Sequence, residues 1–249
     1  MKALVLGGSG SIGTAIVERL LSDGYDVILH YYRSDIEDLR EKYHGKSVSF
    51  IQADLSQNID LEQTFGHIDK LDCLIYCSGV ALYGMLQDMT DDDMDKSYYI
   101  HVKQMMRCCR FFIDKLRQSQ HGRVIVISSI WGETGASMET IYSAMKGAQI
   151  SFVKALSQEL ALTTVTVNAI APGIVSGRMS DIWSEDDLAE ILQNIPQQRL
   201  VTPTEIAHTC SYLCHPLARS ITGTVQKLTA VGIFNKIFCC LFSYIHVII

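Results

Sequence analysis

This 249-residue chain is short of several things, and each shortage closes off a class of protein. It has no long basic run, and its formal net charge is -6. Sequence-independent nucleic-acid binding needs clustered Lys and Arg to displace counterions, so no nucleic-acid partner is expected. It has no C-x2-C pair of the kind that holds zinc: Cys73/Cys77 and Cys210/Cys214 are four apart, and Cys108/Cys109 and Cys239/Cys240 are adjacent. The eight Cys are therefore expected to be reduced, buried thiols acting as small hydrophobes, with no metal site. There is no internal repeat and no low-complexity linker. The opening MKALVLGGSGSIG has an apolar run too short for a signal peptide, which predicts a core strand at the start and a cytoplasmic protein. The apolar tail from Gly232 is interrupted by Asn235, Lys236 and His246. Its longest apolar part, Ile237–Ile245, falls far short of the roughly 20 residues that span a bilayer, so no membrane association is expected.

What is present is apolar residue in quantity, 48% against 19% charged, enough for an ample core. Short β-branched or apolar runs alternate with longer helix-period segments. The runs are Ala3–Leu6, Asp26–Tyr32, Ser47–Ala53, Leu71–Cys77, Arg123–Ser128 and Thr164–Ile170, with a last strand at Thr224–Leu228. The helical segments are Ile12–Ser22, Ile36–Tyr43, Asp92–Arg117, Ile141–Leu162 and Thr204–Cys214. Near-continuous apolar strands suit a parallel sheet covered on both faces. The alternation predicts an α/β fold, a single doubly wound parallel sheet with helices on both faces, in one domain over 1–228.

Between the first strand and first helix stands LVLGGSGSIG, which groups Gly7, Gly8, Ser9, Gly10, Ser11, Ile12 and Gly13. Glycines there permit a tight turn and the close approach of a pyrophosphate, and the helix N-terminus offers free N–H groups to its charge. A dinucleotide fold tests the adenosine ribose at the end of the second strand. That strand ends HYYRSD, so Arg33 comes before any acid and favours a 2′-phosphate, hence NADP(H) over NAD(H). Asp35, two residues on, keeps NAD(H) open.

IYSAMKGA sets Tyr142 and Lys146 one helical turn apart on one face. A Tyr near its ordinary pKa of about 10 is a poor partner for a developing alkoxide, and a neighbouring ammonium lowers it by favouring phenolate. Upstream, VIVISSIWG places Ser129 thirteen residues before Tyr142, at the C-terminal end of a parallel strand where ligands bind.

With these motifs, VNAIAPG at Val167–Gly173 and IPQQRLVTPTEIA at Ile195–Ala207, the chain resembles the short-chain dehydrogenase/reductase family over about Met1 to Leu228. Within it, the chain is most similar to the 3-oxoacyl-carrier-protein reductase group. The resemblance implies a Rossmann-like fold and reduction of a ketone to a secondary alcohol. Tyr142 would protonate the carbonyl oxygen, Ser129 would polarise it, and Lys146 would hold the nicotinamide ribose and lower the Tyr142 pKa. It also implies Asp54 and Leu55 against the adenine, Cys77, Ser78 and Gly79 flanking the cofactor, and Pro172, Gly173 and Val175 beside the nicotinamide. A homodimer or homotetramer built on the long helices is implied too, with a small-molecule or carrier-bound ketone as substrate.

The chain also departs from the family. Leu6 replaces a Thr before the glycines, the Gly7, Gly10, Gly13 spacing is that of the extended members, and CSG replaces Asn-Ala-Gly. Gly177 stands where a Thr often touches the carboxamide, with Ser176 as a possible stand-in. Arg178 and Met179–Pro196 fall where the substrate is usually covered, and SEDDLAE reads as a solvated helix face. His101 takes the place of an Asn that helps hold a relay water, twenty-eight residues before Ser129. A neutral His can donate or accept there, so His101 joins the candidate catalytic residues, with its titration expected to add an acidic limb to the activity profile.

Three readings compete with a carrier-bound substrate: a ketone on a modified protein side chain, a non-catalytic cofactor-binding interaction protein, and a reductase tethered by its tail. The family ends soon after the last strand, commonly with Asn-Gly-Gly. Leu228–Asn235 permits one choice of synonymous codons, TTA ACG GCG GTT GGT ATA TTT AAC, that reads two bases in as Asn-Gly-Gly-Trp-Tyr-Ile and a stop. The segment 229–249 is therefore expected to derive from a single-base frameshift near the Lys227 codon.

Overall fold

The structure, a computed structural model, describes residues 1–177 and 184–230. Chain order is β1 (Lys2–Leu6), α1 (Ser11–Ser22), β2 (Asp26–Tyr31), α2 (Ile36–Lys42), β3 (Val48–Gln52), α3 (Leu61–Phe65) and β4 (Cys73–Tyr76). Then come α4 (Asp91–Tyr98), α5 (Gln104–Gln118), β5 (Arg123–Ile127), α6 (Trp131–Thr134), α7 (Thr140–Glu159), β6 (Thr166–Pro172), α8 (Glu185–Gln193), α9 (Pro203–Cys214) and β7 (Val225–Leu228). The seven strands form one sheet in the order β3-β2-β1-β4-β5-β6-β7, every neighbouring pair parallel.

The strand pleat divides the apolar runs between two cores. Leu4, Leu6, Leu74, Tyr76, Val124 and Val126 face one side, against Phe65, Met105, Phe112, Val153 and Leu156. Ala3, Val5, Cys73, Ile75, Ile125 and Ile127 face the other, against Ile16, Val17 and Leu20 of α1 and Ile206 and Cys210 of α9. Period-2 alternation inside an all-apolar run is what two covered faces require. Burying each such Val, Leu or Ile contributes roughly 1.5–3 kcal/mol. The described cysteines are free, and five of the six are buried. Among the described residues no helix is long and apolar enough to cross a membrane.

Three elements differ from the sequence reading, one of them the four-residue α6, which is too brief for a helical period to show. The predicted helix Asp92–Arg117 is interrupted: a π-helical turn at Tyr99–Lys103 separates α4 from α5. No Gly or Pro marks it, so nothing in the residue pattern announces the break. The wider turn seats His101, Val102 and Gln104 in the interior. The short α3, capped by Asp60, was not anticipated; it is too brief for a helical period to show. The tail beyond Ala230, with its proposed frameshift origin, and Arg178 lie outside the described residues.

Candidate active site

The sheet changes direction of growth between β1 and β4, so their C-terminal ends splay apart into a crevice. The glycine loop leaves β1 there. Gly7 has φ +83°, and a Cβ on it would lie 2.8 Å from Ser78 N. Only glycine lets the two strand ends approach this closely. A Cβ on Gly13 would meet Gly7 O at 2.1 Å, so α1 can pack on the loop only without a side chain there.

His30, at the end of β2, holds the loop from below. Its Nδ1 accepts from Gly7 N at 3.0 Å and its Nε2 donates to Ala53 O at 3.0 Å. These partners fix one neutral tautomer, and burial pushes the pKa down to about 4. Sequence reasoning passed over His30 because it sat inside an apolar strand run.

The N-terminus of α1 has Gly10 as its cap, with no side-chain hydrogen bond and no acid in its first turn. By contrast α2, α4, α8 and α9 are all capped by side chains. A cleft of about 560 Å3 opens in front of it, lined by Gly7, Ser9, Gly10, Arg33, Asp54, Leu55, Cys77, Ser78 and Gly79 among others. Ser78 Oγ is buried with no partner. An uncapped helix N-terminus, a glycine cradle and an orphaned hydroxyl fit a dinucleotide. Of the predicted loop residues, Gly8 and Gly13 serve the strand–helix packing, and Ser11 and Ile12 begin α1.

Arg33 lies over the Tyr32 ring, 5.2 Å from its centroid, at the mouth of this cleft. Asp35 is spent elsewhere: it caps α2, accepting from Glu37 N at 2.7 Å. Burial acts to raise the Asp54 pKa, but the Ser56 hydroxyl and N–H, Tyr32 and Arg33 outweigh it, and the carboxyl sits below its ordinary value.

At the other end of the crevice β5 delivers Ser129 and α7 delivers Tyr142 and Lys146. Ser129 and Lys146 are buried; the Ser129 hydroxyl accepts from Trp131 N at 3.2 Å and lies near enough to the Tyr142 phenol to favour its ionised form. Lys146 Nζ lies 5.4 Å from the centroid of the Tyr142 ring. The end of β6 abuts the Ser129 turn, Ile130 N donating to Pro172 O at 3.0 Å. Gly173 N donates to Leu228 O at 2.8 Å, and Val175 bridges to Val201. A Cβ on Gly177 would lie 3.1 Å from Ser11 Oγ, so this strap returns over the start of α1.

A family profile described as Enoyl-(Acyl carrier protein) reductase matches residues 7–228. "Uncharacterized oxidoreductase YmfI" of Bacillus subtilis is 36% identical over 232 residues, covering 91% of this chain and 96% of its own. The 3-oxoacyl-[acyl-carrier-protein] reductase FabG of Aquifex aeolicus is 30% identical over 232 residues, covering 90% and 93%. A double mutant of a Serratia marcescens short-chain dehydrogenase/reductase superposes with TM-score 0.83 at 28% identity, covering 92% of this chain and 96% of that one. The chain is a short-chain dehydrogenase/reductase. It is an NAD(P)-dependent oxidoreductase with a Rossmann-like fold, resembling the 3-oxoacyl-carrier-protein reductases.

Within this dehydrogenase/reductase three expectations need correction. The Tyr142 pKa is raised, not lowered. Burial is the main cause, the Glu139 carboxyl adds to it, and the Ser129 hydroxyl opposes it. Lys146 does not offset this because burial pushes its own pKa down to about 8, so the amine has lost its charge before the phenol would ionise. Its Nζ donates instead to Ile127 O at 3.0 Å and Gln149 Oε1 at 3.3 Å. Second, His101 does not titrate in the working range: burial first, then the Lys146 charge, pushes its pKa down to about 3. The ring stands edge-on to Tyr142, centroids 5.5 Å apart, with Nε2 2.9 Å from Val80 O and Nδ1 without a partner. An acidic limb from His101 is therefore not expected. Third, the Ser176 hydroxyl is not free: it is turned to Val201 O at 3.4 Å.

Two residues near Tyr142 were not anticipated. Gln149 is fully buried beside Lys146. Glu139 sits at the N-cap of α7, and burial pushes its pKa up to about 7 despite a hydrogen bond to Trp131. Neither belongs to a motif; only their position one turn from Tyr142 or Lys146 could have flagged them. Met138 O accepts from Gly84 N at 2.7 Å, which ties the loop after β4 to this turn. That loop carries Val80, Tyr83, Met85 and Leu86, all exposed, as an apolar rim.

Proposed function

We propose that the protein reduces a ketone, a 3-oxoacyl thioester or related carbonyl, to a secondary alcohol with NADPH. The observation that carries this reading is the Ser129–Tyr142 hydroxyl pair at the crevice floor, with Tyr142 kept protonated by burial. A reduction needs a proton donor at the carbonyl oxygen, and a phenol that stays protonated through neutral pH is one. Ser129 donates to the same oxygen and favours the charge that develops there. When bound, a nicotinamide supplies the hydride. Lys146 places a cation beside the phenol once its proton leaves.

The glycine loop, α1 N-terminus and Asp54–Leu55 would hold the dinucleotide, with Arg33 toward a 2′-phosphate. Support for NADP(H) is that Arg33 lines the cleft while Asp35 is committed to capping α2. The exposed apolar rim of Val80, Met85 and Leu86 suits a substrate with an acyl chain. The same reading has the protein cytoplasmic, one catalytic domain over 1–228, assembling as a homodimer or homotetramer through α5 and α7. His101 is read as a neutral wall behind Tyr142.

The test is absorbance loss of NADPH, and separately NADH, with a panel of β-keto thioesters at neutral pH. The expected result is turnover with NADPH preferred, and a fall of at least about 100-fold in kcat for Tyr142→Phe, the scale of a lost general acid. No turnover of any ketone, or full activity in Tyr142→Phe, refutes the assignment.

A further inference from the structure

Lys146 is a buried cation with no carboxylate in salt-bridge reach among the described residues. The titratable groups that face it give no compensating charge near neutrality. Burial pushes the Cys77 thiol, at the end of β4, up to about 12. His101, from the π-helical turn, is neutral. Tyr142, on its own helix, is protonated, and the Glu139 carboxyl acts on Tyr142 rather than on Lys146. Something else must hold the ammonium, since an isolated buried charge is costly.

Gln149 meets that need. It lies three residues after Lys146 on α7, on the same face, and is fully buried. Its amide spans two groups: Oε1 accepts from Lys146 Nζ at 3.3 Å and Nε2 donates to His101 O at 2.8 Å. The neighbours fix this orientation. Turned over, the amide would set donor against ammonium and oxygen against carbonyl. The π-helical turn takes part, because its carbonyls are served by side chains: Tyr76 Oη donates to Ile100 O at 2.5 Å as Gln149 does to His101 O.

The hydrogen inventory of the amine then gives the consequence. An ammonium has three hydrogens. Two are committed to Ile127 O and Gln149 Oε1, which leaves one. A neutral amine has two hydrogens and one lone pair. With both hydrogens on those acceptors, the lone pair takes the third direction.

We propose that Gln149 is the positioning residue for Lys146: with the Ile127 carbonyl it stabilises the protonated amine and fixes its orientation, so that Lys146 exchanges its proton in one direction only, toward the Tyr142 side. The catalytic consequence rests on the reductase reading of the site; the contact between Gln149 and Lys146 does not.

The test is an NMR titration of the lysine Cε resonances in the protein without cofactor, with Lys146 assigned by its loss in Lys146→Met. Gln149→Leu removes the acceptor and is expected to lower the Lys146 midpoint by about one unit. Gln149→Glu keeps the shape, adds an anion and is expected to raise it. With substrate and NADPH, Gln149→Leu is expected to move the alkaline limb of kcat/KM to lower pH and to cut kcat about tenfold at little cost in KM. Should Gln149→Leu not fold, Gln149→Met serves the same comparison. Equal midpoints in all variants overturn the proposal, as does lost thermal stability with an unmoved midpoint. Shifted midpoints in a protein that reduces no ketone support Gln149 and overturn the reductase reading.

Discussion

Burial sets most of the rise in the Tyr142 pKa, and a neighbour that no motif contains makes the rest depend on pH. Glu139 raises its pKa electrostatically, and Glu139 itself is pushed up to about 7, so the carboxyl changes charge within the working range. Below about pH 7 the carboxyl is neutral and the phenol gives up its proton more readily; above it the carboxylate holds that proton back. Ketone reduction is expected to decline as pH rises through this range. In Glu139→Gln that limb should vanish and the rate at pH 8 should rise about two- to tenfold, the scale of a modest electrostatic coupling. A pH–rate profile of kcat at saturating NADPH decides it, and an unchanged limb removes Glu139 from the account.

Among the elements, the second strand matters most for the nucleotide end of the crevice. His30 joins the Gly7 amide to the Ala53 carbonyl, so it ties β2 to the loop after β1 and to the end of β3. His30→Phe leaves a half-buried N–H and a half-buried C=O without their partner, at roughly 1 kcal/mol each. A lower melting temperature and a nicotinamide-nucleotide affinity weaker by about tenfold are expected, read by thermal melts and by NADPH fluorescence titration. Wild-type affinity for this variant would show that the loop needs no such support.

His30 also shows where the sequence was opaque. The strands and most helices were legible because apolar runs and helical periods are local, and bounds agree within a few residues: Arg123–Ser128 was expected and Arg123–Ile127 is found. Gly7, Ser129, Tyr142 and Lys146 were legible because their spacing is set along one loop or one helix. His30, Gln149 and the π-helical turn were not, because each acquires its role from partners far away in the chain. His101 O and Gln149 Nε2 are 48 residues apart. The expected fall in the Tyr142 pKa failed for a related reason: spacing brings Lys146 near, but only burial reveals that the ammonium is desolvated too.

For the molecule as a whole, the buried lysine is a stability cost with a defined pH window. Its folded pKa of about 8 lies below the ordinary 10.5, so the unfolded chain binds more protons between these values. Stability from this group therefore rises with pH from about 8 to 10.5, and below 8 the cost is complete. The stability difference between wild type and Lys146→Met should move in favour of wild type by about 3 kcal/mol across that window. Urea unfolding at both ends measures it; a difference that does not change with pH refutes the burial argument.

The strand order has one more consequence, for the time before the fold is complete. β1 opens the chain and its first neighbour, β2, follows at once, but its second neighbour, β4, arrives about 70 residues later. A growing polypeptide that has released only β1 to β3 carries one half of the nucleotide cradle along an open sheet edge. The other half, the Ser78 backbone packed on Gly7, exists only after that long-range pairing closes. Such non-local pairing is the slow part of assembling a parallel sheet. The nucleotide is thus a ligand of the finished sheet and of nothing that precedes it, and in a cell its supply can retain folded protein without hastening how it is made.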